Sequence, residues 1–132
     1  MLNLHSMQRL LFALLFTLSL ATAVSSAQAA SNYEPQIGQE GKDVIWVPTP
    51  QALIDKMLDA AKVTKDDYVI DLGSGDGRTV IAAAKRGASA LGIEYNPDMV
   101  ELSKANAEKE GVSARANFAK ADIFESDFSK AT

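Results

Sequence analysis

Short apolar runs alternate with stretches of helical spacing along most of the chain. The runs at residues 68–72, 88–94 and 115–121 are bounded by turn residues, which predicts three buried strands. Helices are predicted between them, at residues 78–86 and 97–110, and a further helix precedes the first strand. This order of helix, strand, helix, strand, helix, strand indicates an α/β fold with a parallel sheet.

Turn and cap residues set the predicted ends of the helices. Thr49 precedes Pro50, which predicts an N-cap followed by proline at the first helical position. A glycine follows each of the other two helices, as is typical of C-terminal caps. The helical methionines Met57 and Met99 are predicted to lie in the core. Residues 30–48, with the extended stretch DVIWVP, are predicted to be an irregular lead-in.

The first 29 residues have the pattern of a secretory signal. Arg9 precedes the apolar core LLFALLFTLSL, and small residues follow, with Ala27-Gln28-Ala29 as the predicted cleavage site. The apolar core is shorter than the roughly 20 residues that a membrane span needs. Residues 1–29 are therefore predicted to be removed after export, which places residues 30–132 in an exported or periplasmic location. The alternative is an uncleaved anchor over residues 10–24 that ties the protein to the membrane.

Composition limits the chemistry that the chain can perform. Its 132 residues fit one domain, and none of them is cysteine. The only histidine, His5, lies in the predicted signal, so Ser-His and Cys-His catalysis and most zinc sites are excluded after cleavage. The net charge of −4 argues against a nucleic-acid partner. We predict no metal, and the chemistry falls to carboxylates, Lys, Tyr, backbone groups or a reactive cofactor.

The stretch YVIDLGSGDGR places Gly73, Gly75 and Gly77 directly after the first predicted strand. Ligands of open parallel sheets bind at the carboxyl ends of the strands, where glycines let the backbone approach a ligand. The N–H groups at the start of the next helix are expected to point at the same site. Four acidic residues are predicted at this edge of the sheet: Asp71, Asp76, Glu94 and Asp122.

These carboxylates bear on the choice of cofactor. They would repel the pyrophosphate of a dinucleotide, whereas S-adenosylmethionine (SAM) has no phosphate and carries a sulfonium and an ammonium. Glu94 is placed to accept both ribose hydroxyls, and Asp122 to accept from the adenine amino group, with Ile123 against the ring. The loop backbone and Asp71 would hold the methionine end. Glu94 and Asp122 could instead be solvated strand ends. Asp71 could be a structural acceptor for loop N–H groups, and Asp76 an exposed turn acid.

The stretches VIDLGSGDGR, GIEYNPDMVELSKANAE and KADIFESDF resemble three motifs of class I SAM-dependent methyltransferases. The resemblance covers roughly residues 44–131. It implies a Rossmann-like fold, methyl transfer from SAM by in-line displacement, and cofactor contacts at Ser74 and Tyr95, which lie within the first two motifs. VPTP followed by DLGSGDGRTVIAAAKRGA is similar to mitochondrial protein-lysine methyltransferases that act on a component of ATP synthase. DLGSG also resembles histone lysine methyltransferases that lack a SET domain.

This narrower resemblance implies a protein lysine as a candidate acceptor, with a small molecule as the alternative, and a stretch at residues 46–49 that closes over the cofactor. The sheet of the family has more strands than the three predicted here. Residues 49–132 are therefore expected to be the N-terminal, SAM-binding half of a methyltransferase domain, inactive alone. Two other functions stay open. One is a non-catalytic exported module that binds SAM. The other is an NAD(P)-dependent oxidoreductase, although its loop is normally Gly-x-Gly-x-x-Gly.

Overall fold

The structure, a computed structural model, describes residues 33–132 as an α/β arrangement with one parallel sheet. The predicted signal, residues 1–29, lies outside the described residues. The elements in chain order are α1 (Gln51–Ala60), β1 (Tyr68–Leu72), α2 (Arg78–Lys85), β2 (Ser89–Glu94), α3 (Pro97–Lys109) and β3 (Ala116–Lys120), followed by a short 3₁₀ helix (Ile123–Glu125). The predicted fold class and the three predicted strands are confirmed. None of the helices in residues 33–132 is long and apolar enough to cross a bilayer.

β2 is the central strand and pairs in parallel with both of its neighbours, so the spatial order is β1-β2-β3. Leu72 at the end of β1 lies beside Ile93, and Glu94 at the end of β2 lies beside Lys120. The carboxyl ends of the three strands therefore share one edge of the sheet. The loops that follow β1, β2 and β3 meet at this edge, as parallel strands require.

Small side chains let α2 pack closely on the sheet. Val80 and Ala83 of this helix are fully buried, and Ala90 of the central strand is fully buried in the same cluster. Ile54 of α1 completes the cluster from the outer side. A close helix–sheet contact fixes where α2 begins, and with it the position of the loop between β1 and α2.

Two predictions for the helices need correction. Met99 is 2% exposed and lies in the core as predicted, but Met57 is 49% exposed, and its predicted burial is wrong. α1 buries only Ile54 and Leu58, one turn apart, so its contact stripe is too narrow to include Met57. The helix also begins one residue later than predicted, with Pro50 as the N-cap residue and no side-chain cap.

The segment before α1 folds back on itself as a short hairpin. The Trp46 N–H donates to the Gln39 carbonyl (2.9 Å), and the Gly38 N–H donates to the Trp46 carbonyl (2.9 Å). Glu40 and Ile45 form an antiparallel bridge inside this turn. We call residues 38–46 the hairpin segment. Its backbone bonds are local, so its place on the molecule depends on side-chain contacts with the sheet edge.

Candidate functional site

A cavity of about 370 Å³ lies at the carboxyl edge of the sheet, between the strand ends and the hairpin segment. We call it the edge cavity. Its size falls within the range of about 300–1,000 Å³ that is usual for small-molecule sites. The predicted site residues that line it are Gly73, Glu94, Tyr95, Asp122 and Ile123. The structure therefore brings together the ends of all three strands around one concave site.

Glu94 is a fixed acceptor at the end of β2. Its Oε2 accepts the Gly75 N–H (2.9 Å), and its Oε1 accepts the Asn96 N–H (2.9 Å). Asn96 in turn caps α3, because its Oδ1 accepts the Asp98 N–H (2.9 Å). One carboxylate thus ties the glycine loop to the start of α3. A carboxylate has about four lone-pair sites, so Glu94 keeps acceptor capacity toward the cavity.

Asp122 forms an ion pair with the hairpin segment. Its Oδ2 accepts from the Lys42 ammonium (2.7 Å), and its Oδ1 accepts the Phe124 N–H (3.0 Å). These bonds, the one from Lys42 first, hold the pKa of the Asp122 carboxyl below its usual value. The Lys42 ammonium lies 5.4 Å from the centre of the Tyr95 ring and 5.5 Å from that of Phe124. A protein cation therefore sits at this end of the edge cavity.

The glycine loop uses most of its N–H groups within the protein. The N–H groups of Gly73 and Ser74 both donate to the Ile93 carbonyl, at 2.8 and 3.1 Å. The Gly77 N–H donates to the Ser74 carbonyl (2.9 Å), and the Gly75 N–H is held by Glu94. A loop that binds a pyrophosphate leaves such groups free for the anion. This arrangement disfavours a dinucleotide.

Asp76 lies away from the edge cavity. It forms a two-point ion pair with Arg78, with Nε to Oδ1 at 2.9 Å and Nη2 to Oδ2 at 2.6 Å. Both residues line a second cavity of about 360 Å³ on the helical side. The Arg78 N–H at the start of α2 also reaches Asp76 Oδ1 (3.4 Å). The expectation that this helix start points at the ligand site is therefore wrong, because the Asp76 carboxylate folds back over it.

Ser74 lies beneath the glycine loop rather than in the edge cavity. It is 5% exposed, and its hydroxyl has no hydrogen-bond partner within the described residues. A Cβ added to Gly92 on β2 would lie 2.5 Å from the Ser74 Oγ. The loop therefore rests directly on the central strand at a point where only glycine leaves room.

Trp46 places the hairpin segment against the glycine loop. A Cβ added to Gly75 would lie 2.5 Å from the indole Nε1, so the indole is in contact with the loop backbone. A second anchor runs through Tyr33, whose hydroxyl accepts from Gln39 Nε2 (2.7 Å) and from Asn96 Nδ2 (3.4 Å). The hairpin segment is thus attached at both the loop and the start of α3.

Asp71 is mostly buried at the end of β1 and does not line the edge cavity. Burial raises the pKa of its carboxyl; a hydrogen bond from Thr79 acts in the opposite direction, and the negative charge of Glu94 adds to the rise. The folded protein therefore holds this proton to a higher pH than the unfolded chain does. Ionisation of Asp71 costs stability that is lost as pH rises through the folded-state pKa.

Replacing Asp71 with asparagine should raise the melting temperature at pH 7. The amide keeps the shape and the hydrogen-bonding capacity but carries no charge to desolvate. Below the unfolded-state pKa both proteins are neutral at this position, and the difference should vanish. Thermal unfolding followed by circular dichroism at pH 7 and at acidic pH checks this. A lower melting temperature of the variant at pH 7 would show that the loop needs the carboxylate itself.

Two polar residues of α3 that the sequence analysis did not identify hold the glycine loop from below. The Ser103 hydroxyl donates to the Gly75 carbonyl (2.9 Å), and Asn106 Nδ2 donates to the Asp76 carbonyl (3.0 Å). Ser103 is fully buried. Both lie on the helix face of the buried Met99, at positions four and seven residues further on. That spacing is the signal from which they could have been predicted.

The change Ser103→Ala should lower the free energy of unfolding by about 1–3 kcal/mol, because it leaves the Gly75 carbonyl without its buried donor. Urea denaturation measures the effect. Ser113→Ala is the matched control, since Ser113 is exposed in the loop after α3. Equal effects of the two substitutions would contradict a bracing role for Ser103.

Comparisons with known proteins agree with this geometry. Residues 71–132 match a family model described as the ANTKMT methyltransferase domain. A protein-lysine N-methyltransferase of Saccharolobus islandicus (strain REY15A) is 47% identical over 91 residues, which cover 67% of this chain and 56% of that protein. A lysine N-methyltransferase of Homo sapiens that is named for ATP synthase is 40% identical over 85 residues, which cover 64% of this chain and 36% of that protein.

Solved structures give the same picture. An RNA methyltransferase from Salinibacter ruber in complex with S-adenosyl-L-homocysteine superposes with a TM-score of 0.64 at 47% identity, covering 65% of this chain and 57% of that one. The three parallel strands and their flanking helices therefore have the Rossmann-like fold of methyltransferases. The chain spans about half the length of this structure and of the Saccharolobus protein.

Proposed function

We propose that this chain is the cofactor-binding part of a SAM-dependent methyltransferase that modifies a protein lysine. The observation that carries the proposal is the edge cavity itself. A fixed carboxylate, Glu94, stands at the end of β2 beside a glycine loop whose N–H groups are already used. Such a site suits a ligand with hydroxyl donors and no phosphate.

The donor and acceptor set of the cavity fits SAM. Glu94 would accept from the ribose hydroxyls, and Asp122 from the adenine amino group. Tyr95 and Ile123 supply apolar surface beside these acceptors. The sulfonium of SAM provides the reactivity, so the protein has to bind, orient and exclude water rather than activate the methyl group. The side chains that line the edge cavity can perform these tasks.

Charge and similarity favour a protein lysine as the acceptor. The Saccharolobus relative is named a protein-lysine methyltransferase, while the Salinibacter structure is titled an RNA methyltransferase, and both are 47% identical to this chain. The net charge of −4 disfavours RNA, whose phosphates are usually met by basic surfaces. In the proposed reaction an unprotonated lysine amine attacks the methyl carbon, the carbon–sulfur bond breaks, and S-adenosylhomocysteine and a proton are released.

The location proposed for the protein follows from the sequence pattern alone. Residues 1–29 are proposed to direct export, with an uncleaved anchor as the alternative. Because the chain spans about half the length of the relatives cited, acceptor binding and turnover are proposed for the whole protein.

Incubation with methyl-labelled SAM tests the proposal. The whole protein is supplied with labelled SAM and, separately, with the protein and the RNA fractions of a cell extract. Label that appears in protein and is recovered as methyl-lysine is the expected result. Label in RNA would contradict the proposed acceptor. Binding of S-adenosylhomocysteine without transfer to either fraction would favour the non-catalytic module instead.

A further inference from the structure

The Lys42–Asp122 ion pair has a consequence for ligand entry. The ammonium approaches from the hairpin segment, 80 residues earlier in the chain, and bonds the same carboxylate that is proposed to accept from the cofactor. The other oxygen of Asp122 is taken by the Phe124 N–H. Both Asp122 oxygens therefore have partners before any ligand arrives.

The surroundings of Lys42 hold its ammonium at this position. The Tyr95 and Phe124 rings lie at 5.4 and 5.5 Å, within the usual cation–π distance. Asp43 adds a second, longer ionic contact at 3.6 Å. The hydrogen bond with Asp122 raises the pKa of the Lys42 amine, so the group stays charged across the physiological range.

We propose that Lys42 competes with the cofactor for the Asp122 carboxylate, so that the hairpin segment latches the edge cavity in the ligand-free protein. This inference rests on the proposed function, since it takes the cofactor to bind at Asp122. The latch has three contacts with the body of the protein: Lys42 on Asp122, Trp46 on Gly75, and Gln39 through Tyr33 to Asn96. Ligand entry at Asp122 breaks the first of these.

The substitution Lys42→Met tests the latch, with Lys56→Met as the matched control. Methionine keeps an unbranched side chain and removes the charge. Lys56 is exposed on α1 and makes no ion pair within the described residues, so its replacement changes the net charge equally. S-adenosylhomocysteine is the probe, because its charges cancel and it lacks the sulfonium. Isothermal titration should show about two- to fivefold tighter binding for the Lys42 variant, the range of exposed ion pairs. The control should bind like the unmodified protein.

Salt provides a second measurement that needs no substitution. Raising NaCl from low to high concentration screens the ion pair, so the unmodified protein should bind S-adenosylhomocysteine more tightly as salt increases. The Lys42→Met protein should lose this salt dependence. Equal or weaker binding by the Lys42 variant would overturn the latch and leave the proposed cofactor intact. Absence of binding by all three proteins would overturn the proposed function, and the latch with it.

Discussion

Replacing Gly77 with alanine should lower the free energy of unfolding by about 2–5 kcal/mol and abolish binding at the edge cavity. Gly77 has φ +83°, a conformation that costs an L-residue about 1–2 kcal/mol. An added Cβ would lie 2.7 Å from Cε1 of Phe118 and 2.8 Å from Cβ of Ser103. Such overpacking typically costs about 1–3 kcal/mol. To relieve the clash the loop must lift away from the sheet, and Gly73 and Glu94 then no longer face one cavity.

Gly111→Ala separates the steric effect from the conformational one. Gly111 also has a positive φ, +70°, but a Cβ there would meet nothing within 4 Å. Its replacement should cost only about 1–2 kcal/mol and leave ligand binding unchanged. Urea denaturation and titration with S-adenosylhomocysteine give both quantities for each variant. Equal losses of stability in the two proteins would show that Gly77 is not held against Phe118 and Ser103.

Glu94→Gln should weaken S-adenosylhomocysteine binding about 100-fold, equivalent to about 2.7 kcal/mol. The amide has nearly the same shape, but its NH₂ must face an N–H, that of either Gly75 or Asn96. The substitution also removes the charge that strengthens hydrogen bonds from ribose hydroxyls; a bond to a charged group contributes about 1.5–3 kcal/mol. The loop and the ligand therefore lose the same acceptor.

Glu101→Gln is the control for this change. Glu101 lies on the exposed side of α3, where it pairs with Lys104. Its replacement removes one negative charge from the same helix–strand region without touching the cavity, and affinity should stay within about twofold of the unmodified protein, as for other exposed pairs. If Glu94→Gln also bound with unchanged affinity, the ligand would not use the end of β2.

The short-range features of the chain could be predicted from its sequence. β1 has the predicted bounds in the structure, because five consecutive residues ending at the glycine loop leave little choice of strand. The start of α3 at Pro97 follows from proline at the first helical position. The meeting of Glu94 and Asp122 at one cavity follows from parallel strands alone, since their carboxyl ends must share an edge.

Contacts that depend on side-chain choice between distant segments could not be predicted. Lys42 reaches Asp122 across 80 residues, and no periodicity links the two positions. Asp76 had an equally good acceptor role at the ligand or at its neighbour Arg78, and the structure shows the two-point ion pair with Arg78. Met57 fits the helical apolar pattern, but the narrow stripe by which α1 packs leaves it half-exposed.

The most direct test of the cofactor assignment is an amide NMR titration of the protein, first with S-adenosylhomocysteine and then, in a separate sample, with NAD. S-adenosylhomocysteine should shift the resonances of Gly73, Gly75, Glu94 and Asp122, and NAD should leave them in place. Tight binding of NAD at these positions without binding of S-adenosylhomocysteine would contradict the assignment. So would shifts confined to the cavity beside Arg78.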